Sequence, residues 1–181
     1  MKPTKKLTLS AILVAMGTVF MVIGAVIDLL DLTAAALSSL LVVFAYIEIG
    51  SPYTWLIWIC TTVLSAVFYP GSIMWLTYFL IFGVYPILKG YIERLKRPLW
   101  LPIKLVYANL ATVGALLISG FLLGIPLLEE GSRLASLHPA SLYGVLMLIA
   151  NIAFIAYDYF ITVLVRYYYD KLRPRFKTLL K

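Results

Sequence analysis

Charge is what this chain has least of. Only 13% of its 181 residues are Asp, Glu, Lys or Arg, while 63% are hydrophobic, and the mean hydropathy is +0.99. A soluble domain has about a quarter of its residues charged and about half apolar. The excess apolar surface has no interior large enough to hide in, so a soluble globule is excluded and lipid is the expected solvent. Cysteine and histidine are almost missing, with one of each, Cys60 and His138. A lone cysteine in an apolar run closes no intramolecular disulfide. One His with one Cys makes a His/Cys metal site improbable, and no cofactor is expected. There is no Walker-type phosphate loop, no HExxH and no GxSxG, so the chain is not itself an ATPase and no enzymatic activity is expected. Nor is there an internal repeat of the kind that builds inverted-repeat transporters.

What is there is a succession of apolar runs. A helix needs roughly 20 residues to cross the hydrocarbon, and six segments qualify: about 7–28, 32–49, 53–69, 72–93, 101–123 and 142–168. Their limits are marked by Asp28 and Asp31, by Gly50-Ser51-Pro52, by Tyr69-Pro70-Gly71 and by the run from Glu93 to Pro98. These are acidic or turn-forming breaks. A more polar loop, 124–141, precedes the last segment and a basic tail, 169–181, follows it. The expected fold is therefore an all-α integral membrane protein, one transmembrane domain over 1–181 with a bundle of about six helices. The first run has no small-x-small cleavage pattern before Asp28 and reads as a mature helix, not a signal peptide. The second and third runs are short, with a re-entrant hairpin as the alternative to two short helices joined by a tight turn.

The formal net charge of +7 does not point to nucleic acid, because the basic residues flank the apolar runs. Lys2, Lys5 and Lys6 precede the first; Arg94, Lys96 and Arg97 separate the fourth and fifth; Arg166, Lys171, Arg173, Arg175, Lys177 and Lys181 follow the last. Retention of Lys and Arg on the cytoplasmic side then puts both termini inside. The outer loops carry Arg133 alone, beside Asp28, Asp31, Glu129 and Glu130. The expected counter-charge is anionic lipid headgroups.

Three groups of residues invite a functional reading. Ala11 and Ala15, one turn apart on the first helix, allow another helix to approach closely, either within the bundle or from a partner. Glu48, Lys89, Lys104 and Asp158 are ionisable groups in apolar segments, where a charge is costly and marks a partner or a pathway. All fall in the cytoplasmic half and their charges balance, so ion pairs that pin the helices are expected, with a proton or ion relay as the sharper alternative. The outer half collects Asp31, Tyr69, Trp75, Tyr78, Glu129, Arg133 and His138, and Tyr143, Met147 and Asn151 share one face of the last helix. Aromatic walls with a few polar groups suit a pocket for a small, flat, partly polar molecule. The alternative for Tyr and Trp is an interfacial aromatic belt, and for Asn151 and Asn109 a helix–helix hydrogen bond.

The layout resembles the substrate-binding S components of energy-coupling factor (ECF) transporters, bacterial vitamin uptake systems. Their Ala-x-x-x-Ala motif near the start of helix one is matched by Ala11-Ile12-Leu13-Val14-Ala15, after Lys6-Leu7-Thr8-Leu9-Ser10. The stretches Phe82-Gly83-Val84-Tyr85-Pro86-Ile87-Leu88-Lys89, Tyr157-Asp158-Tyr159 and Lys171-Leu172-Arg173-Pro174-Arg175 are similar to a group of small membrane proteins of Gram-positive bacteria. The resemblance implies a bacterial cytoplasmic membrane, a small-molecule substrate taken up in the outer half, and Ala11 and Ala15 set against a transmembrane coupling subunit driven by two ATPase subunits. Two other classes stay open: a membrane scaffold acting through helix–helix contacts, and a small ion-coupled carrier or membrane enzyme using the inner charges.

Overall fold

The computed structural model describes residues 2–27, 30–123 and 139–173, and all regular structure among them is helical. The six expected segments appear as α1 (Pro3–Val26), α2 (Asp31–Glu48), α3 (Tyr53–Phe68), α4 (Met74–Ile92, interrupted at its middle), α5 (Trp100–Ile118) and α6 (Pro139–Tyr167). All but α3 belong to helical stretches long and apolar enough to cross a membrane. The 16 residues of α3 make about 24 Å of helix, short of the ~30 Å hydrocarbon.

Boundaries shift where proline is concerned. Proline at the first turn gives up an N–H that has no helical partner there and has φ already set. So α1 begins at Pro3 instead of residue 7, and α6 at Pro139, which takes 139–141 out of the expected outer loop. The expected tail is also helical at its start, since α6 runs on as a wider turn through Tyr168–Leu172. The rest of the 124–141 loop and residues 174–181 lie outside the described residues.

Small residues set the closeness of packing. α1 buries Ser10, Leu13, Gly17, Thr18, Met21, Gly24 and Ala25, at steps of three and four. The Ser38 hydroxyl reaches the Gly17 carbonyl at 3.4 Å. A Cβ on Gly17 would stand 3.1 Å from both Ser38 Oγ and Thr61 Cγ2, so small side chains of α2 and α3 close directly on the α1 backbone. Between α2 and α3, Gly50 takes φ 78°, a left-handed turn that favours glycine. A second cluster, Val43, Tyr85, Ala108, Phe154, Tyr157 and Ile161, joins α2, α4, α5 and α6.

The surface is the reverse of a soluble protein's. Val67, Leu110, Leu117 and Phe121 are each at least 68% exposed, among many outward Leu, Ile and Val residues. Apolar area on that scale is absent from soluble monomers and suits a lipid-facing bundle. Lys6 Nζ donates to the Ile49 carbonyl at 3.1 Å, and Glu48 accepts from Arg173 Nε and the Tyr168 hydroxyl, each at 3.1 Å. The start of α1, the end of α2 and the end of α6 thus share one end of the bundle, the basic end.

Candidate functional site

The break in α4 organises the interior. Pro86 has no N–H to give the Phe82 carbonyl one turn earlier, and at Tyr78–Phe82 the helix widens, with Gly83 N–H donating to the Tyr78 carbonyl at 2.7 Å. Side chains from three other helices donate to carbonyls along this stretch. Trp58 Nε1 of α3 donates to Phe79 at 3.2 Å, Tyr107 Oη of α5 to Leu80, and Tyr157 Oη of α6 to Phe82 at 3.1 Å. Irregular backbone at membrane depth is tolerated where protein satisfies it in this way. Gly83 is needed there, since a Cβ would come within 2.5 Å of the Trp58 ring and 2.8 Å of the Tyr78 ring.

On the side of the break away from the termini lies an apolar cavity of about 540 Å³, lined by Leu32 of α2, Thr77, Ile81 and Phe82 of α4, Thr112 and Leu116 of α5, and Leu146, Ile149, Ala150, Ala153, Phe154 and Tyr157 of α6. Its deep end is aromatic, with Phe82 set edge-to-face on Tyr157 at 4.9 Å between centroids. The Tyr157 hydroxyl turns away from the cavity to Ser39 Oγ at 2.7 Å and to the Phe82 carbonyl.

Behind that aromatic floor is a cluster of charges. Asp158 Oδ1 accepts from Lys89 Nζ and from the Tyr85 hydroxyl, and Lys104 Nζ reaches both carboxylate oxygens of Asp158 at 3.0 Å. Glu93 Oε1 bridges the two lysines, 3.3 Å from Lys89 and 2.9 Å from Lys104. Lys89 also donates to the Thr162 hydroxyl at 2.6 Å. Both lysines are buried, so two cations and two carboxylates neutralise each other inside the bundle. On the basic side is a second pocket of about 230 Å³, lined among others by Tyr46, Pro86, Lys89, Gly90, Glu93, Ile161 and Thr162. Phe82 and Pro86 are one turn apart on α4, as are Tyr157 and Ile161 on α6. The partition between the pockets is therefore about one helical turn, or ~6 Å, thick.

The sequence-derived residues fall at three kinds of place. Lys89, Lys104 and Asp158 meet in the cluster, whereas Glu48 is apart from them on Arg173 and Tyr168. Its partner is set by the close of α6 over the end of α2. Glu93, read from the sequence only as a helix limit, and Tyr85, given no role there, complete the cluster. The i,i+4 spacing of Tyr85, Lys89 and Glu93 is a signal that could have found them. Ala11 and Ala15 are exposed, on the face of α1 that the bundle leaves free.

None of the described outer-half candidates lines the 540 Å³ cavity. Asp31 opens α2, where a negative charge suits the helix dipole. Tyr69 and Trp75 border a crevice beside Met21 and Ser65, and Trp75 Nε1 donates to the Pro70 carbonyl at 3.2 Å. Tyr78 is fully buried in the core of Met21, Ala35, Val42 and Ile87. Asn151 forms a reciprocal amide pair with Asn109, at 2.8 and 3.3 Å, and donates to the Met147 carbonyl at 2.8 Å. Glu129, Arg133 and His138 lie outside the described residues, as does the side chain of Tyr143. The neighbours Leu32, Leu146 and Ala150 do line the cavity, one position from Asp31, Met147 and Asn151.

Among the described residues no group of His, Cys, Asp and Glu could hold a metal ion. The chain matches no protein-family model, no curated protein and no solved structure.

Proposed function

We propose that this protein is the membrane-embedded binding subunit of an ATP-driven uptake system of the ECF type, with a small-molecule ligand and no ATPase of its own. The observation that carries the reading is the 540 Å³ cavity, within the range of small-molecule sites and closed at its deep end by aromatic rings. With the basic end toward the cytoplasm, both termini are inside and this cavity belongs to the outer half, where an uptake subunit receives its solute. Support for a partner comes from α1. Its internal contacts are made by Ser10, Leu13, Gly17 and Met21, leaving Ala11 and Ala15 outward for a second membrane helix.

Native mass spectrometry of the gently solubilised protein tests both parts. A stoichiometric small-molecule mass and co-purifying ATPase-linked subunits are expected. Ala11→Trp with Ala15→Trp should disrupt the complex and leave the ligand bound. Apo-protein with an unrelated partner would replace this reading with the scaffold class.

A second reading is favoured by the charge cluster lying between two pockets. An ion-coupled carrier would use Asp158 as its switch. It requires that Asp158→Asn abolish transport in proteoliposomes while the protein remains folded at the assay temperature.

A further inference from the structure

Threonines inside these helices turn their hydroxyls back onto the carbonyl one turn earlier. Thr8, Thr18, Thr54, Thr62, Thr77 and Thr162 all donate in this way. Thr112 does not. It lines the cavity from α5, and its hydroxyl has no hydrogen-bond partner among the described residues. Thr33 bonds three residues back, to Leu30, Thr4 lies in the exposed first turn of α1, and Thr61 is enclosed beside Gly17 and Ser38. A donor left idle at membrane depth is costly, because its alternative partner is hydrocarbon.

The rest of the wall restricts what could accept that hydrogen bond. Among the described residues no Asp, Glu, Lys, Arg or His lines the cavity, and these walls give a carboxylate or phosphate no counter-charge. Tyr157 spends its hydroxyl on Ser39 and the Phe82 carbonyl and presents ring only. Thr77 already donates to Ile73 at 3.1 Å and keeps acceptor capacity alone. The polar offer of the described lining is thus one free donor, at Thr112, with acceptor capacity at Thr112 and Thr77, above a floor of aromatic rings.

We propose that the cavity takes a neutral, ring-bearing molecule with a carbonyl-type acceptor, its ring toward Phe82, Phe154 and Tyr157 and its acceptor on Thr112 Oγ1, and that it rejects anions. This rests on the cavity being the ligand site, as argued above, and the test separates the two claims. The full chain in lipid nanodiscs is dialysed to equilibrium against 1,4-naphthoquinone, naphthalene or 2-naphthoate, with protein-free nanodiscs correcting for partition. The quinone is expected to bind stoichiometrically and the naphthoate at least about tenfold more weakly. Thr112→Val, close in shape, should weaken the quinone about fivefold, the worth of one net hydrogen bond, and leave naphthalene unchanged. Ala150→Phe, which fills the cavity, should remove binding of both. Naphthoate binding as tightly as the quinone, or quinone binding indifferent to Thr112→Val, overturns the ligand class and leaves the site standing. Binding indifferent to Ala150→Phe overturns the site as well. So does a cavity in which no probe binds and native spectra retain a phospholipid.

Discussion

Replacing Asp158 by Asn keeps the shape of the side chain and removes one of the two charges that balance Lys89 and Lys104. In the parent, Asp158 is held by Lys89, by Lys104 at 3.0 Å to each oxygen and by Tyr85, while Glu93 bridges the lysines. After the change, two lysines, each 5% exposed, share Glu93 alone and the cluster carries an excess positive charge. Breaking a buried pair by removing one partner costs about 3–5 kcal/mol. The Asp158 side chain is 24% exposed, so the lower end applies, about 3 kcal/mol. For a chain of this size each kcal/mol lowers Tm by about 2–4 °C, so a fall of roughly 6–12 °C is expected in tryptophan-fluorescence melting of the detergent-solubilised protein. Adding Lys89→Met to Asp158→Asn restores neutrality and should recover at least about half of the loss, since the penalty is the unpaired charge and not the missing pair. A single variant melting within about 2 °C of the parent, or a double variant no better than the single, would refute the account of the cluster as a mutually neutralised set.

Four further outcomes are expected, three from the packing and one from the distribution of charge. Gly83→Ala pushes a methyl into the Trp58 and Tyr78 rings and should destabilise by about 1–3 kcal/mol in the same melting assay, the range for overpacking. Tyr157→Phe removes the donor to the Phe82 carbonyl and to Ser39, costing about 1 kcal/mol. Asn109→Leu combined with Asn151→Leu should melt above either single change, because each single variant strands one amide of the pair. In a Cys60→Ala background, an impermeant maleimide applied to intact cells should label Gly71→Cys and not Lys96→Cys. The opposite pattern would reverse the orientation.

Much of the site was readable at the level of depth and little at the level of direction. Apolar surroundings disfavour a lone charge, and Lys89 and Lys104 both pair with Asp158. Glu48 obeys the same rule with a different partner, Arg173, which only the close of α6 over α2 supplies. Met147 and Asn151 were grouped by their four-residue spacing, and that spacing names a face without saying what it looks at. Asn151 looks at Asn109, and the adjacent Leu146 and Ala150 look into the cavity. The break in α4 carried a sequence signal in Gly83 and Pro86, but the donors that make it tolerable, Trp58, Tyr107 and Tyr157, come from three other helices, 21, 27 and 75 residues away in the chain.

By itself the sequence determined the number of helices, their approximate limits and the gathering of basic residues at one end, because apolar length, turn residues and charge are local properties that can be read one segment at a time. The tertiary structure decided which side of each helix meets a neighbour, a cavity or lipid. A step of one residue turns a side chain by about 100° around the axis, so moving from Asn151 to Ala150 exchanges a buried amide pair for a cavity wall, and only the packing of all six helices sets that rotation.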